Sequence, residues 1–203
     1  MNNPTLGRPE KLHRLLQGIE QNAGYNNFEV IVKSDEFPPN NVGAPTMLAR
    51  CVNASTGDLV CFLGNDCIPQ PGFLREAVWE MARRFPDMDG MVGLNDGYWR
   101  PELGHVSPHW LCSKKLLPLL NRNEFFDTEF YHTGVDNILQ GQCENLGKYT
   151  YTKTVVLNHD HPMLGGKKED MDELYAQAYS GPRHDHDDKL YAQRVKELGI
   201  RKF

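Results

Sequence analysis

Asp-Leu-Val-Cys-Phe-Leu-Gly-Asn-Asp-Cys-Ile-Pro, residues 58–69, is the stretch around which this chain arranges itself. Leu59 to Leu63 is an unbroken apolar run, bounded by Gly57-Asp58 on one side and Gly64-Asn65 on the other. A short run of this kind between turn residues predicts a strand buried on both faces. It stops abruptly at Gly64-Asn65-Asp66. A carboxylate just past the carboxyl end of a buried strand stands where open α/β sheets bind ligands. Asp66 is a hard oxygen ligand, suited to Mg²⁺ or Mn²⁺ held against a diphosphate. The plainer reading is a strand that ends in a polar turn, since Gly, Asn and Asp are ordinary turn residues.

Upstream, Pro4 to Pro9 is a turn-rich entry, and Pro9 suits the first turn of a helix. Leu12, Leu15, Leu16 and Ile19 follow helical spacing toward a stop near Asn22-Ala23-Gly24. Phe28 to Val32 is the next expected strand, which places Asp35 just past its end. A Pro/Asn/Gly loop over 37–45 precedes a helix over about Thr46 to Ser55. Downstream, a helix from Phe73 to about Phe85 puts Phe73, Leu74, Ala77, Val78, Met81 and Phe85 on one face. Trp79 lies off that stripe and is expected to pack. Gly90 to Leu94 reads as another short strand. Asn95 to His109 is a long irregular stretch carrying Tyr98, Trp99, Arg100, His105 and His109. Such loops in compact domains are often functional.

Trp110 to Leu120 returns to an apolar pattern broken at Pro118. Phe125 to Phe130 precedes a helix over about Val135 to Leu146, with Asp136 in its first turn, where the helix dipole favours a carboxylate. Lys148 to Leu157 reads as one or two strands running into Asn158-His159-Asp160-His161-Pro162. A helix with Asp172 and Tyr175, a turn at Ser180-Gly181-Pro182 and a final helix over about Asp187 to Leu198 follow. The β-α alternation predicts right-handed crossovers and a mainly parallel sheet. We read residues 1–203 as one domain: a nucleotide-binding half to about residue 95, then an acceptor half with a C-terminal tail.

The 203 residues suffice for one sizeable α/β core. A net charge of −5 argues against a large nonspecific nucleic-acid surface. No apolar run approaches the roughly eighteen residues of a membrane span, and Met1 to Thr5 has no signal-peptide core. Cys51, Cys61, Cys67, Cys112 and Cys143 include no C-x-x-C pair. An odd cysteine count without metal spacing points to reduced thiols in a cytoplasmic protein.

Three blocks now stand in a familiar order: Pro4-Thr5-Leu6-Gly7-Arg8-Pro9-Glu10-Lys11-Leu12; Ala54 through the central strand and Asp66 to Gly72-Phe73-Leu74; and Phe125-Phe126-Asp127-Thr128-Glu129-Phe130 followed by Gly134-Val135-Asp136-Asn137. Over residues 4 to 162 the chain resembles family-2-like glycosyltransferases of GT-A (Rossmann-like) fold, which use nucleotide-diphosphate sugars. The resemblance implies a mainly parallel sheet with flanking helices and a C-terminal helical tail. It implies that Thr5 and Arg8 line the nucleotide pocket and that Asp35 contacts the base or ribose. Asp66 matches the last acid of the family's D-x-D motif, which binds Mn²⁺ or Mg²⁺ and the sugar diphosphate. Asp136 matches the acid that serves as general base. His159 or His161 matches a histidine that completes the metal site. His-x-His-Pro followed by Asp172 and Tyr175 is similar to the tail of some small enzymes of this fold.

The chain departs from the family in three places. Gly64-Asn65-Asp66 keeps one carboxylate of the D-x-D motif, with Asn65 left to bond the ribose or sugar. Val135-Asp136 replaces a Glu-Asp pair. Only Met1 to Asn3 precede Pro4, so the first strand is either very short or trimmed.

Each site residue has a plainer alternative. Asp136 is either the base or a helix cap; Asp35 is either a donor contact or a turn residue. His159 and His161 alternate on a strand and so point to opposite faces, which leaves one of them as a metal ligand. Tyr98, Trp99 and Arg100 either stack on a sugar acceptor or cover the core. His184-Asp185-His186-Asp187-Asp188 either binds metal or forms a solvated helix entry. The leading expectation is a metal-dependent inverting glycosyltransferase acting on a nucleotide-diphosphate sugar and an acceptor hydroxyl. Its rivals are a non-catalytic nucleotide- or sugar-binding protein of the same fold, and a phosphohydrolase built on the His159-Asp160-His161 and His184-Asp185-His186 clusters.

Overall fold

Successive residues of the central strand β3, Leu59–Phe62, serve two different cores. Val60 joins Leu48, Val52, Trp110, Cys112, Phe126 and Ile138 on one side. Cys61 joins Leu15, Ile19, Phe73, Met81, Val92 and Leu111 on the other. Side chains of a strand alternate between faces, so an all-apolar strand belongs between two packed layers. That is why the apolar run needs no polar alternation.

The structure, a computed structural model, describes residues 2–5, 8–36, 40–99, 103–161, 176 and 179–203. The described elements run β1 (Asn2–Thr5), α1 (Pro9–Asn22), β2 (Ile31–Ser34), α2 (Ala44–Ala54), β3, β4 (Cys67–Pro69), α3 (Phe73–Arg84), β5 (Met91–Gly93), β6 (Trp110–Ser113), α4 (Val135–Asn145), β7 (Tyr149–Tyr151), β8 (Leu157–His159) and α5 (Gly181–Leu198). The main sheet has the order β2-β1-β3-β6-β5-β7, and β4 and β8 form a separate pair. β1 pairs parallel with β2 and β3, and β5 pairs parallel with β7. β6 runs antiparallel to both β3 and β5, so within the main sheet it alone opposes the others among the described strands. The fold class is α/β, with a mainly parallel sheet, helices on its faces and a C-terminal helix.

Several boundaries differ from the sequence reading. β1 is present as four residues. β2 is Ile31–Ser34 rather than 28–32, because its register with β1 runs from Asn2↔Ile31 to Thr5↔Ser34. Asp35 still follows directly. Cys67–Pro69, to which the sequence pattern assigns no element, is a strand paired with β8. Trp79, expected to pack, is 56 % exposed with the Arg83 guanidinium 5.6 Å over its ring. α5 begins at Gly181, so the His184–Asp188 run lies inside the helix. All five cysteines are buried, and none is joined in a disulfide. No helix among the described residues is long and apolar enough to cross a membrane.

Candidate functional site

The turn after β3 is built to present Asp66. The Cys67 N–H bonds the Gly64 carbonyl at 3.2 Å and closes it. A Cβ on Gly64 would lie 2.6 Å from Asp66 Oδ1, so glycine is what lets the carboxylate fold back over the turn. β4 then pairs antiparallel with β8 in the register Cys67↔His159, and the Asp160 N–H bonds the Asp66 carbonyl at 2.8 Å. This pairing sets two sequence-distant side chains opposite each other: Asp66 Oδ1 and His159 Nε2 stand 3.6 Å apart.

The other nitrogen of His159, Nδ1, lies 2.8 Å from Asp96 Oδ2. Burial disfavours the imidazolium, but the Asp66 and Asp96 carboxylates outweigh it and raise the His159 pKa to about 9. The neighbouring His109 accepts the Gly64 N–H on Nδ1 at 3.3 Å, and its Nε2 lies 2.9 Å from Cys67 Sγ. Burial and the adjacent His159 charge push the His109 pKa down to about 3. Burial, then Asp66 and Asp96, pushes the Cys67 thiol well above its ordinary range.

Ligand atoms of Asp66, Cys67, His109 and His159 all lie within 4.8 Å of one another. The four do not serve equally. Because His109 Nδ1 accepts an N–H, the neutral ring carries its proton on Nε2, aimed at Cys67 Sγ. That pair is satisfied internally. A neutral His159 that donates Nδ1–H to Asp96 turns the Nε2 lone pair toward Asp66. A carboxylate oxygen facing an imidazole lone pair, backed by a second carboxylate, fits a divalent cation.

The second acid comes from α4. Gly134, with φ at 89°, is its N-cap, and no side chain caps the helix. Asp136 is therefore not the cap; its Oδ1 accepts the Trp110 Nε1–H at 3.4 Å. Burial against the aromatic core raises its pKa to about 7, and the Trp110 bond only partly opposes that. Tyr179 is close enough to both acids to feel their charge. Its hydroxyl lies 3.2 Å from His161 Nε2, and burial followed by the charges of Asp66 and Asp136 raises it to about 12. His132 packs edge-on against Tyr179 with centroids 5.7 Å apart. Arg8, N-cap of α1, acts electrostatically on both Tyr179 and His132.

The other sequence candidates fall as follows. Thr5 ends β1 beside Ser34, and Asn65 is buried in the Asp66 turn. Asp35 accepts the N–H groups of Glu36, Val42 and Gly43 at 2.9, 3.1 and 2.9 Å, which makes it the clamp of the loop after β2. The rings of His159 and His161 lie 5.4 Å apart rather than on opposite faces. β8 ends at His159, so the strand alternation does not reach His161. Tyr98 and Trp99 sit in a turn whose N–H groups bond Asp96 Oδ1 at 3.0 and 2.9 Å; Arg100, Asp172 and Tyr175 lie outside the described residues. In the His184–Asp188 run, His184 pairs with Asp188, and His186 pairs with Asp187 and packs against the Tyr131 ring. Asp187, read as part of a solvated entry, is buried and accepts the N–H groups of Tyr131, His132 and Thr133. A cavity of about 620 Å³ lined by Val42, Glu129, Tyr131, His186 and Arg194 contains none of the groups around Asp66.

Sequence reasoning passed over Asp96, Cys67, His109, His132 and Tyr179 as site residues. Asp96 had one usable signal, a carboxylate just past a short apolar strand, the same signal that singled out Asp66.

No family model matches the sequence, and no curated protein matches it. Solved structures do. Residues 1–349 of TarS from S. aureus align with a TM-score of 0.63 at 13% identity, covering 97% of this chain and 71% of that one. The complex of TarS 1–349 with UDP aligns at 0.62 and 15% identity, over 95% and 69%. Glucosyl-3-phosphoglycerate synthase from Mycobacterium tuberculosis, in complex with Mn²⁺, UDP and phosphoglyceric acid, aligns at 0.62 and 18% identity, over 99% and 78%. Near-complete coverage at such low identity is a likeness of backbone architecture, and the chain therefore has the fold of the GT-A-type glycosyltransferases.

Proposed function

We propose that this protein transfers a sugar from a nucleotide-diphosphate donor to an acceptor hydroxyl, with a divalent cation held by Asp66 and His159. The observation that carries this reading is the facing pair at the carboxyl end of β3, with Asp66 Oδ1 and His159 Nε2 3.6 Å apart. It occurs in a fold whose compared structures hold UDP and Mn²⁺. An imidazole ligand favours Mn²⁺ over Mg²⁺. When bound, the cation supplies neutralisation of the charge that builds on the leaving diphosphate. Arg8 adds a fixed positive charge at the same edge, Thr5 and Asn65 border the donor, and Asp35 shapes the loop beside it. Tyr98, Trp99 and Arg100 are assigned to the acceptor side.

Asp136 is the proposed base. It takes the proton of the acceptor hydroxyl as that oxygen bonds the anomeric carbon, and the bond from this carbon to the phosphate oxygen breaks with its electron pair leaving on the diphosphate. Attack opposite the leaving group inverts the anomeric carbon. A pKa of about 7 suits the role, because the carboxyl is then both available and basic near neutral pH. Transfer should accordingly rise with pH through about 7.

The test is a thermal-shift screen of nucleoside diphosphates with and without Mn²⁺, with UDP first because compared structures hold it. A bound nucleotide raises the midpoint by mass action. The expected result is a shift with one nucleotide that grows when Mn²⁺ is added, followed by Mn²⁺-dependent turnover of the matching sugar donor. No shift with any nucleotide would sink the reading; a shift without turnover of any donor would leave a binding protein rather than an enzyme.

A further inference from the structure

Asp96 has a side chain 0 % exposed, and a buried carboxylate persists only where donors surround it. Its Oδ1 takes the N–H groups of Tyr98 and Trp99, and its Oδ2 faces His159 Nδ1 at 2.8 Å. The backbone beneath it is fixed from several sides. The Leu94 N–H bonds the His109 carbonyl, the Asn95 N–H bonds Thr152 Oγ1, and the Asn95 carbonyl accepts from Val156 and Leu157. Asp96 is thus a rigidly mounted acceptor aimed at the back of one histidine.

We propose that Asp96 is a positioning residue: it holds His159 with Nδ1 protonated and the Nε2 lone pair toward Asp66, and thereby sets how tightly Asp66 and His159 hold a divalent cation. This rests on the metal site proposed above. Both ring nitrogens face carboxylates, which can only accept, but Asp96 lies within hydrogen-bond distance at 2.8 Å and Asp66 stands off at 3.6 Å, so a neutral His159 keeps its proton on Nδ1. The same side chain closes the turn that carries Tyr98 and Trp99. The metal ligand and the proposed acceptor-side turn therefore hang on one carboxylate, and their positions are set together.

Asp96→Asn separates this role from simple packing. Its oxygen can keep the Tyr98 and Trp99 N–H groups, and its amide then presents N–H to His159 Nδ1. The imidazole proton is driven to Nε2, where it faces Asp66 and blocks the cation. Mn²⁺ affinity is read from the free-ion signal in electron paramagnetic resonance, on the full chain, for the parent, Asp96→Asn and Asp66→Ala. Asp66→Ala should abolish site binding, and Asp96→Asn should weaken it about 10–100-fold, the usual worth of such an outer partner. Parental Mn²⁺ affinity in Asp96→Asn, alongside loss in Asp66→Ala, would overturn the positioning role and leave the metal site standing. Parental affinity in Asp66→Ala would overturn both. If Asp96→Asn does not fold, histidine ¹⁵N spectra of the parent loaded with diamagnetic Zn²⁺ give the answer directly. His159 should be protonated at Nδ1 and metal-bound at Nε2; an unprotonated Nδ1 would overturn the proposal.

Discussion

His109 and His159 lie with ring centroids 4.6 Å apart and are buried alike, at 3 % and 5 % exposure, yet one is neutral and the other charged. His109 is held neutral, with its pKa at about 3. His159 is raised to about 9 in the metal-free protein. Burial pushes both imidazoles down, so depth does not distinguish them. What each nitrogen faces does: a backbone N–H and a thiol for His109, two carboxylates for His159. The place for positive charge in this site is made by the acids, and an imidazole of the same depth without them stays uncharged.

The largest test of that rule falls on Asp136, an acid with an indole N–H as its bonded partner and a pKa raised to about 7. Asp136→Asn keeps the shape and removes the proton acceptor. Single-turnover transfer should slow by roughly 10²–10⁴-fold, the usual worth of general-base catalysis, while donor and Mn²⁺ affinity hold. Near-parental transfer would end the assignment of Asp136 as base.

A smaller effect separates the two histidines in the metal-free protein. His109 has a folded pKa below its unfolded value of about 6.5, so the stability tied to its neutrality is present above that pH and is lost as pH falls toward 3. His159 has a folded pKa above that value, so its contribution is full below about pH 6.5 and is lost as pH rises through 9. Each limb is worth on the order of a few kcal/mol. Denaturant midpoints measured against pH should show His109→Gln flattening the acid limb and His159→Gln flattening the alkaline one. Exchange of those two outcomes would break the comparison.

The smallest expected effect belongs to Cys67. Cys67→Ala leaves the His109 Nε2–H without its buried acceptor, which costs about 1–3 kcal/mol. Mn²⁺ affinity should not change, because the Cys67–His109 pair is satisfied internally. A tenfold loss of Mn²⁺ affinity would show instead that the thiol is a ligand.

The architecture was legible where local pattern is strong. The apolar run at Leu59–Leu63 announced a doubly buried strand, and Pro9 with Leu12, Leu15 and Ile19 announced α1. Two of the short strands were not legible. Cys67–Pro69 is too short to show an alternation, and it exists as a strand only because β8 pairs with it. β6 was hidden for another reason: its residues are buried on both faces, so Trp110 to Ser113 reads like any apolar segment and carries no sign of its direction. At the site, Asp66 could be found because a strand end precedes it. His109 sits in a long irregular stretch, and its meaning comes from Cys67, 42 residues away. Asp187 was misread because acids at a helix start are usually solvated; nothing local shows that three backbone N–H groups wait for it.

That last contact bears on the order in which the molecule is made. Asp187 reaches back 56 residues to the Tyr131 N–H and continues to His132 and Thr133, the segment that leads into α4 and Asp136. The sheet from β1 to β7 contains no residue of α5, so it can assemble while α5 is still emerging from the ribosome. The segment ahead of Asp136 cannot be clamped until α5 arrives, and closing so long a loop is slow relative to local pairing. Nascent chains should therefore complete the Asp66 turn first and the segment ahead of Asp136 last, so that under the proposed function a half-made molecule would recruit a cation before it could move a sugar.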